Sequence, residues 1–149
     1  IATGQTEWNG VFKLGHIEFE FETNSNTAWS LPEYSKFKIN GTKIIEVENI
    51  SNVGNKRHSP IIEIKKLGNA GDISIKNLSN GAIETKLTGL NDGETFTMDN
   101  KYRLFIADTP TNYYGLHFNK QWLELVGGVN KLEVSGDCEL TFKCQYPII

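Results

Sequence analysis

"GGVNKLEVSGDCELTFKCQY" (residues 127–146) decides how the rest of the chain is read. Two glycines open it, apolar and polar residues then alternate, Ser135-Gly136-Asp137 marks a turn, and the alternation resumes. From Cys138 to Cys144 the even positions are Cys, Leu, Phe and Cys, and the odd ones Glu, Thr and Lys. A period of two marks a strand with one face buried and the other in water, so the stretch reads as a closing hairpin. Its two cysteines, the only ones in the chain, share the buried face with Leu140 and Phe142. The extended chain from 138 to 144 separates them by roughly 20 Å, whereas a disulfide brings Cα atoms to about 5–6 Å. Metal-ligand spacing to further Cys or His is also lacking. Both are expected to be reduced thiols packing as small hydrophobes.

The same alternation recurs upstream. "IEFEFE" (17–22) sets Ile17, Phe19 and Phe21 against glutamates, and apolar strands at 36–39 and 43–48 flank Asn40-Gly41, a hairpin signal. "IIEIKK" (61–66), "DISIKN" (72–77), "AIETKL" (82–87) and "QWLELV" (121–126) read as further strands. In "TFTMDNKYRLFI" (95–106), Asp99-Asn100 reads as a two-residue hairpin loop. No stretch keeps a helical period. About ten short strands with turn signals between them predict an all-β, two-sheet antiparallel sandwich. Residues 1–14 read as a linker or N-terminal arm and 15–149 as the sandwich domain.

A chain of 149 residues is one ordinary domain with room for a real core. A net charge of −3 with lysines and glutamates interspersed excludes the basic footprint of a nucleic-acid binder. No apolar run reaches the roughly eighteen residues of a membrane span, and no signal-peptide pattern opens the chain. Asn-x-Ser/Thr matches at Asn40, Asn49 and Asn77 are too common to imply glycosylation. Without a disulfide framework, synthesis in a reducing compartment is the simpler reading. A chain that opens on Ile1 rather than methionine is expected to be a piece of something longer.

Chemistry-bearing motifs are sparse. His16, His58 and His117 stand at no metal-ligand spacing, and His58, in the loop "NKRHSP", is expected to be solvated. No nucleophile elbow, phosphate loop or HExxH occurs, so neither catalytic residues nor a cofactor or metal is expected. Asp92 and Glu94 in "NDGE", with Asp99 nearby, could serve acid–base chemistry on a glycoside or hold calcium, but Asn-Asp-Gly is first a turn. The long segment "ADTPTNYYGLHFNKQW" (107–122) stands out. Tyr113, Tyr114 and His117, with the amides Asn112 and Asn119, could grip a sugar by stacking and hydrogen bonding. Equally, these aromatics could cap an open end of the core. Trp122 is expected to pack inward, and Trp29, in "NTAWSLP", to sit at a rim or interface.

The order of features resembles the C-terminal part of siphophage distal tail (Dit-like) proteins. The resemblance rests on "GVFKLGHIEFEFETNSNTAWS" (10–30), "VENISNVGNKRHSPIIEIKKLGNAGDISIKNLSNG" (47–81), "LTGLNDGETFTMDNKYRLFI" (87–106) and "LELVGGVNKLEVSG" (123–136). Within these, Asn52, Gly54, Asn55 and Pro60 match one family motif. Gly93, Glu94 and Asp99 match a second, and Leu125, Gly128, Asn130, Leu132, Val134 and Gly136 a third. The resemblance implies a galectin-like or jelly-roll sandwich projecting outward from a tail-tip hub, with no catalytic residues. It implies as partners receptor-binding proteins and tail hub or tail-tube proteins, or a host cell-wall saccharide. In such proteins a separate N-terminal half forms a hexameric ring; without that half, this chain is expected to be a monomer. Synthesis in the bacterial cytoplasm and residence at the virion tail tip follow. The alternative from a different class is a lectin-like carbohydrate-binding module, and a glycoside hydrolase fragment using Asp92 and Glu94 ranks behind both.

Overall fold

The computed structural model describes residues 2–9, 14–21, 28–51, 57–107 and 114–148. The described residues contain strands and no helix. β1 (Ala2–Asn9) and β2 (Leu14–Phe21) pair in a two-stranded sheet of their own. β3 (Ala28–Trp29) is followed by β4 (Glu33–Ile39), β5 (Thr42–Asn49) and β6 (Ile61–Lys66). β7 (Gly71–Asn77), β8 (Ile83–Leu90), β9 (Thr95–Asp99) and β10 (Leu104–Ile106) come next. β11 (Gly128–Ser135), β12 (Cys138–Cys144) and β13 (Pro147–Ile148) close the chain. One sandwich sheet has the order β10-β9-β6-β12-β4 and the other β5-β11-β7-β8, while β13 pairs with β3. All pairings are antiparallel. The two-sheet antiparallel sandwich expected from the alternation is what forms.

Alternate residues of β5, β6, β7, β8, β9, β11 and β12 enter one core. Ile62 and Ile64 of β6, Phe96 and Met98 of β9, and Cys138, Leu140, Phe142 and Cys144 of β12 meet inward residues of the other sheet. Those are Ile45 and Val47 of β5, Ile73 and Ile75 of β7, Leu87 of β8, and Leu132 and Val134 of β11. Both cysteines are free and buried, as expected. Burial pushes the Cys138 thiol up to about 11 and raises Cys144 as well. Because only the thiolate attacks, the folded chain is expected to resist thiol-specific reagents at pH 8 and to react at both sites once unfolded. Labelling followed by mass spectrometry with and without denaturant checks this.

Two turns that read as hairpins are corners instead. β4 and β5 leave Asn40-Gly41 into different sheets, and β11 and β12 do the same from Gly136-Asp137. The two corners lie side by side. The Gly136 N–H donates to the Gly41 carbonyl at 2.8 Å and the Gly41 N–H to Asp137 Oδ1 at 2.7 Å. The pairing register runs straight through them, from Glu33↔Cys144 to Ile39↔Cys138 and on from Thr42↔Ser135 to Asn49↔Gly128. Residues 33–49 and 128–144 therefore form one long ribbon, folded over so that its halves belong to opposing sheets.

Two further expectations change. Asp99 pairs with Leu104, so the β9–β10 loop is Asn100–Arg103 rather than the dipeptide Asp99-Asn100. Asp99 Oδ1 accepts from the N–H groups of Lys101 and Tyr102 at 3.0 and 2.9 Å, which closes the longer turn. Residues 121–126 are not a strand. They form irregular chain touching the ladder only at the bridge His58↔Leu125, although Leu123 and Leu125 are buried.

Candidate functional site

The aromatic segment after residue 113 seals one side of the sandwich. The Tyr114 ring stacks on Phe96 at 4.3 Å, and its hydroxyl donates to Glu94 Oε1 at 2.7 Å. Phe118 bridges to Leu87 and packs with Phe105 and Trp122 at 5.2 and 4.7 Å. The amide of Asn119 is spent on the β8 backbone: Oδ1 accepts from the Lys86 N–H and Nδ2 donates to the Glu84 carbonyl. The His117 carbonyl accepts from Thr88, and the imidazole lies over Gly89. Tyr114, 5 % exposed, is thus a core side chain with its hydroxyl engaged, and Asn119 is not displayed for a sugar. Trp122 packs inward, as expected. Tyr113 and Asn112 lie outside the described residues.

The irregular run 123–126 is held by side-chain amides standing in for a neighbouring strand. Leu123 N–H donates to Asn100 Oδ1 and Val126 N–H to Asn130 Oδ1, at 2.8 and 2.9 Å. The carbonyls of Glu124, Leu125 and Val126 accept from Asn77, Asn49 and Asn130. All four asparagines are buried. A buried backbone polar group without a partner is costly, and here side chains replace the missing ladder. The carboxylates are also built in. Buried Glu94 accepts from the Asn91 N–H as well as from Tyr114, while Asp92 stands exposed on the turn. The pair therefore does not share one environment, as a glycosidase pair would. Among the described residues no group of three or more His, Cys, Asp or Glu converges as a metal site would require.

The feature that remains is a cleft of about 490 Å³ at the end of the sandwich remote from the corners. Trp29 forms one wall, placed by β3. There the Ser30 N–H donates to the Tyr146 carbonyl, the Tyr146 N–H to Ser30 Oγ, and Gln145 Nε2 to the Ser30 carbonyl. Tyr102, on the turn closed by Asp99, forms another. The Lys101 ammonium sits between them, 5.3 Å from the Trp29 ring centre and 5.4 Å from that of Tyr102. Arg57, ion-paired with Glu124 at 2.8 Å, and Lys143 add charge. Of the candidate contact residues read from the sequence, Trp29 lines this cleft, while Tyr114, His117 and Asn119 belong to the sealed side. Lys101, Tyr102 and Arg57 were missed; an exposed aromatic between cations in "NKYR" was the available signal.

His58 corrects a further expectation. It is half-buried rather than solvated, and its ring packs on Tyr146 at 4.7 Å. Burial, and then the Lys101 charge, pushes its pKa down to about 4. The unfolded imidazole titrates near 6.5, so between these values the unfolded chain binds the extra proton. Stability is expected to fall as pH drops from 6.5 to 4, by about 2–3 kcal/mol, and to be insensitive to His58 below that. Denaturant titrations across this range on wild type and His58→Phe check it. Only the component missing from the variant belongs to this histidine.

Comparison with known proteins gives three findings. The family model described as Phage tail C-terminal domain matches residues 27–144. The chain is 30 % identical over 107 residues to the SPbeta prophage-derived uncharacterized protein YomH of Bacillus subtilis strain 168. That match covers 71 % of this chain and 40 % of YomH, so the chain spans well under half of that relative. The crystal structure of SPP1 Dit (gp 19.1), described as a paradigm of the hub adsorption apparatus in phages infecting Gram-positive bacteria, superposes with a TM-score of 0.59. The superposition covers 95 % of this chain and 58 % of that one at 11 % identity, a likeness of fold. The Dit-like resemblance read from the ordered motifs is borne out.

Proposed function

The chain belongs to the phage tail C-terminal domain family, and we propose that within the tail it is a non-enzymatic adaptor at the tip. In this reading it projects outward from a hub and holds receptor-binding proteins or touches the host surface. The observation that carries it is the family match over residues 27–144 on a Dit-like sandwich. Its internal chemistry fits a part that holds geometry. Glu94, Asp99 and the four buried asparagines fasten turns and irregular chain, and the cysteines are core. Residues 1–14 would be the arm or linker that leads from a ring-forming, hexameric part to a sandwich that is monomeric by itself. Partners would be the receptor-binding protein and the hub or tail-tube proteins, met after synthesis in the bacterial cytoplasm.

Immunogold labelling of induced particles with antibodies to the sandwich tests the placement. Gold is expected at the end of the tail distal to the head. Label along the tube or on the head, or none on intact particles, would overturn the tip assignment. A saccharide-binding role is the second reading, and the cleft beside Trp29 favours it over the 107–122 segment.

A further inference from the structure

We propose that the cleft between Trp29 and Tyr102 binds a sugar unit carrying a negative charge, a phosphate or a carboxylate. The proposal deepens the saccharide reading and rests on it, and it stands independently of where in the tail the domain sits. Its first support is shape and lining. A volume of about 490 Å³ falls in the range of about 300–1,000 Å³ found for small-molecule sites. Trp29 is 47 % and Tyr102 68 % exposed, on a chain whose other aromatics in the 114–122 segment turn inward. Exposed aromatic faces beside polar side chains suit a sugar ring, whose C–H face stacks while its hydroxyls hydrogen-bond. Gln145 lines the same wall, and its carboxamide oxygen takes no part in the bond to Ser30.

The second support is charge. Among the described residues the lining carries three cations, Arg57, Lys101 and Lys143, against one carboxylate, Asp99, with Glu124 paired to Arg57, in a chain whose net charge is −3. Asp99 is buried and already accepts from two N–H groups of its own turn. The two rings hold the Lys101 ammonium between them without neutralising it. Lys143 has an aromatic neighbour too, Tyr34 at 5.9 Å. A neutral sugar would leave the Lys101 and Lys143 charges unused and a cation would be repelled, so an anionic group on the sugar is the complement. Arg57, anchored to Glu124 through one nitrogen, retains further donors for such a group.

The test is titration of the 15N-labelled chain with glucose 6-phosphate, glucuronic acid, glucose and inorganic phosphate, followed by NMR. Saturable shifts of the Trp29 indole N–H and of the Lys101 and Tyr102 amides with either acidic sugar are expected. Glucose and phosphate alone should bind about tenfold more weakly or not at all. Which acidic sugar binds tells phosphate from carboxylate. Trp29→Ala should abolish the shifts, and Lys101→Gln should weaken the acidic sugar about fivefold while leaving the rest of the spectrum, and hence the fold, unchanged. Equal binding of phosphate alone, equal binding of glucose, shifts confined to the sealed side around Tyr114, or no shifts would each overturn the proposal. None of these outcomes bears on the gold-labelling result, so the two readings fail separately.

Discussion

Asn130→Ala is expected to cost about 4 kcal/mol of folding stability and to lower the melting temperature by about 10–15 °C. Asn130 is wholly buried and uses both ends of its amide. Oδ1 accepts from the Val126 N–H at 2.9 Å and from Asn77 Nδ2 at 3.1 Å. Nδ2 donates to the carbonyls of Val126 at 2.8 Å and Gly128 at 3.0 Å. Truncation would leave three backbone groups without these partners: the two of half-buried Val126 would cost about 1–3 kcal/mol each, and the carbonyl of exposed Gly128 less, because water can reach it. Asn77 would still reach the Glu124 carbonyl. Asn130→Asp should be no milder, because a carboxylate can accept from Val126 but would point its second oxygen at two carbonyls and bury a charge. Lys131→Ala, on the exposed neighbour, should stay within about 0.5 kcal/mol. Denaturant melts of the three variants decide it. An Asn130→Ala cost near that of Lys131→Ala would mean that Leu123 and Leu125 alone hold the irregular run, and the account of amides replacing a strand would fail.

That account also shows where the sequence was legible. Period-two patterning placed β6, β7 and β12 to within a residue, and it placed both cysteines in the core, because burial on one face writes itself directly into alternate positions. Pairing was harder. In a two-residue hairpin around Asn40-Gly41, Ile39 would pair with Thr42 and Phe37 with Ile44, so odd positions before the turn would share a face with even ones after it. The buried positions are odd on both sides: Ile39 before, Ile45 and Val47 after. At Gly136-Asp137 they are even on both sides: Leu132 and Val134, then Cys138 and Leu140. That parity rules out a two-residue hairpin at either turn, but a three-residue loop keeps it as well as a corner does, so the crossing itself was not readable from the pattern. In 121–126 the alternation was real, while the partner was a set of asparagines distributed over four places in the chain. The cleft was less visible still. Trp29 comes from β3, Arg57 from the loop before β6, Lys101 and Tyr102 from the β9–β10 turn, and Lys143 from β12. Only the fold brings them together, whereas Tyr114, singled out for its aromatic neighbours in sequence, is a core side chain.

The corner supplies the other large effect. Gly136→Ala is expected to cost about 4 kcal/mol or more, or to prevent folding, while Gly41→Ala should cost only about 1 kcal/mol. Both glycines sit in the left-handed region, at φ +106° and +74°, so both substitutions carry backbone strain. Their surroundings differ. A Cβ at Gly41 would meet no atom within 4 Å. At Gly136 it would lie 2.4 Å from the Asp72 carbonyl oxygen and 3.3 Å from the Cα of Ile73. The obstacle is backbone, at the irregular start of β7 between Gly71 and Ile73, and no rotamer change can relieve it. Either the Asp72 peptide moves, which loosens the β7–β11 pairing that begins at Ser74↔Ser135, or the Gly136 corner moves and loses its bond to the Gly41 carbonyl. Hydrogen exchange should tell which: faster exchange in Ile73–Ile75 marks the first, and in Gly41–Lys43 the second. Because the ribbon runs continuously from this corner to Lys143, a surviving Gly136→Ala chain should lose protection near the turn before it does near the cleft. Equal costs for the two alanine variants would mean that the corner yields freely, and the ribbon could not then be what fixes one sheet against the other.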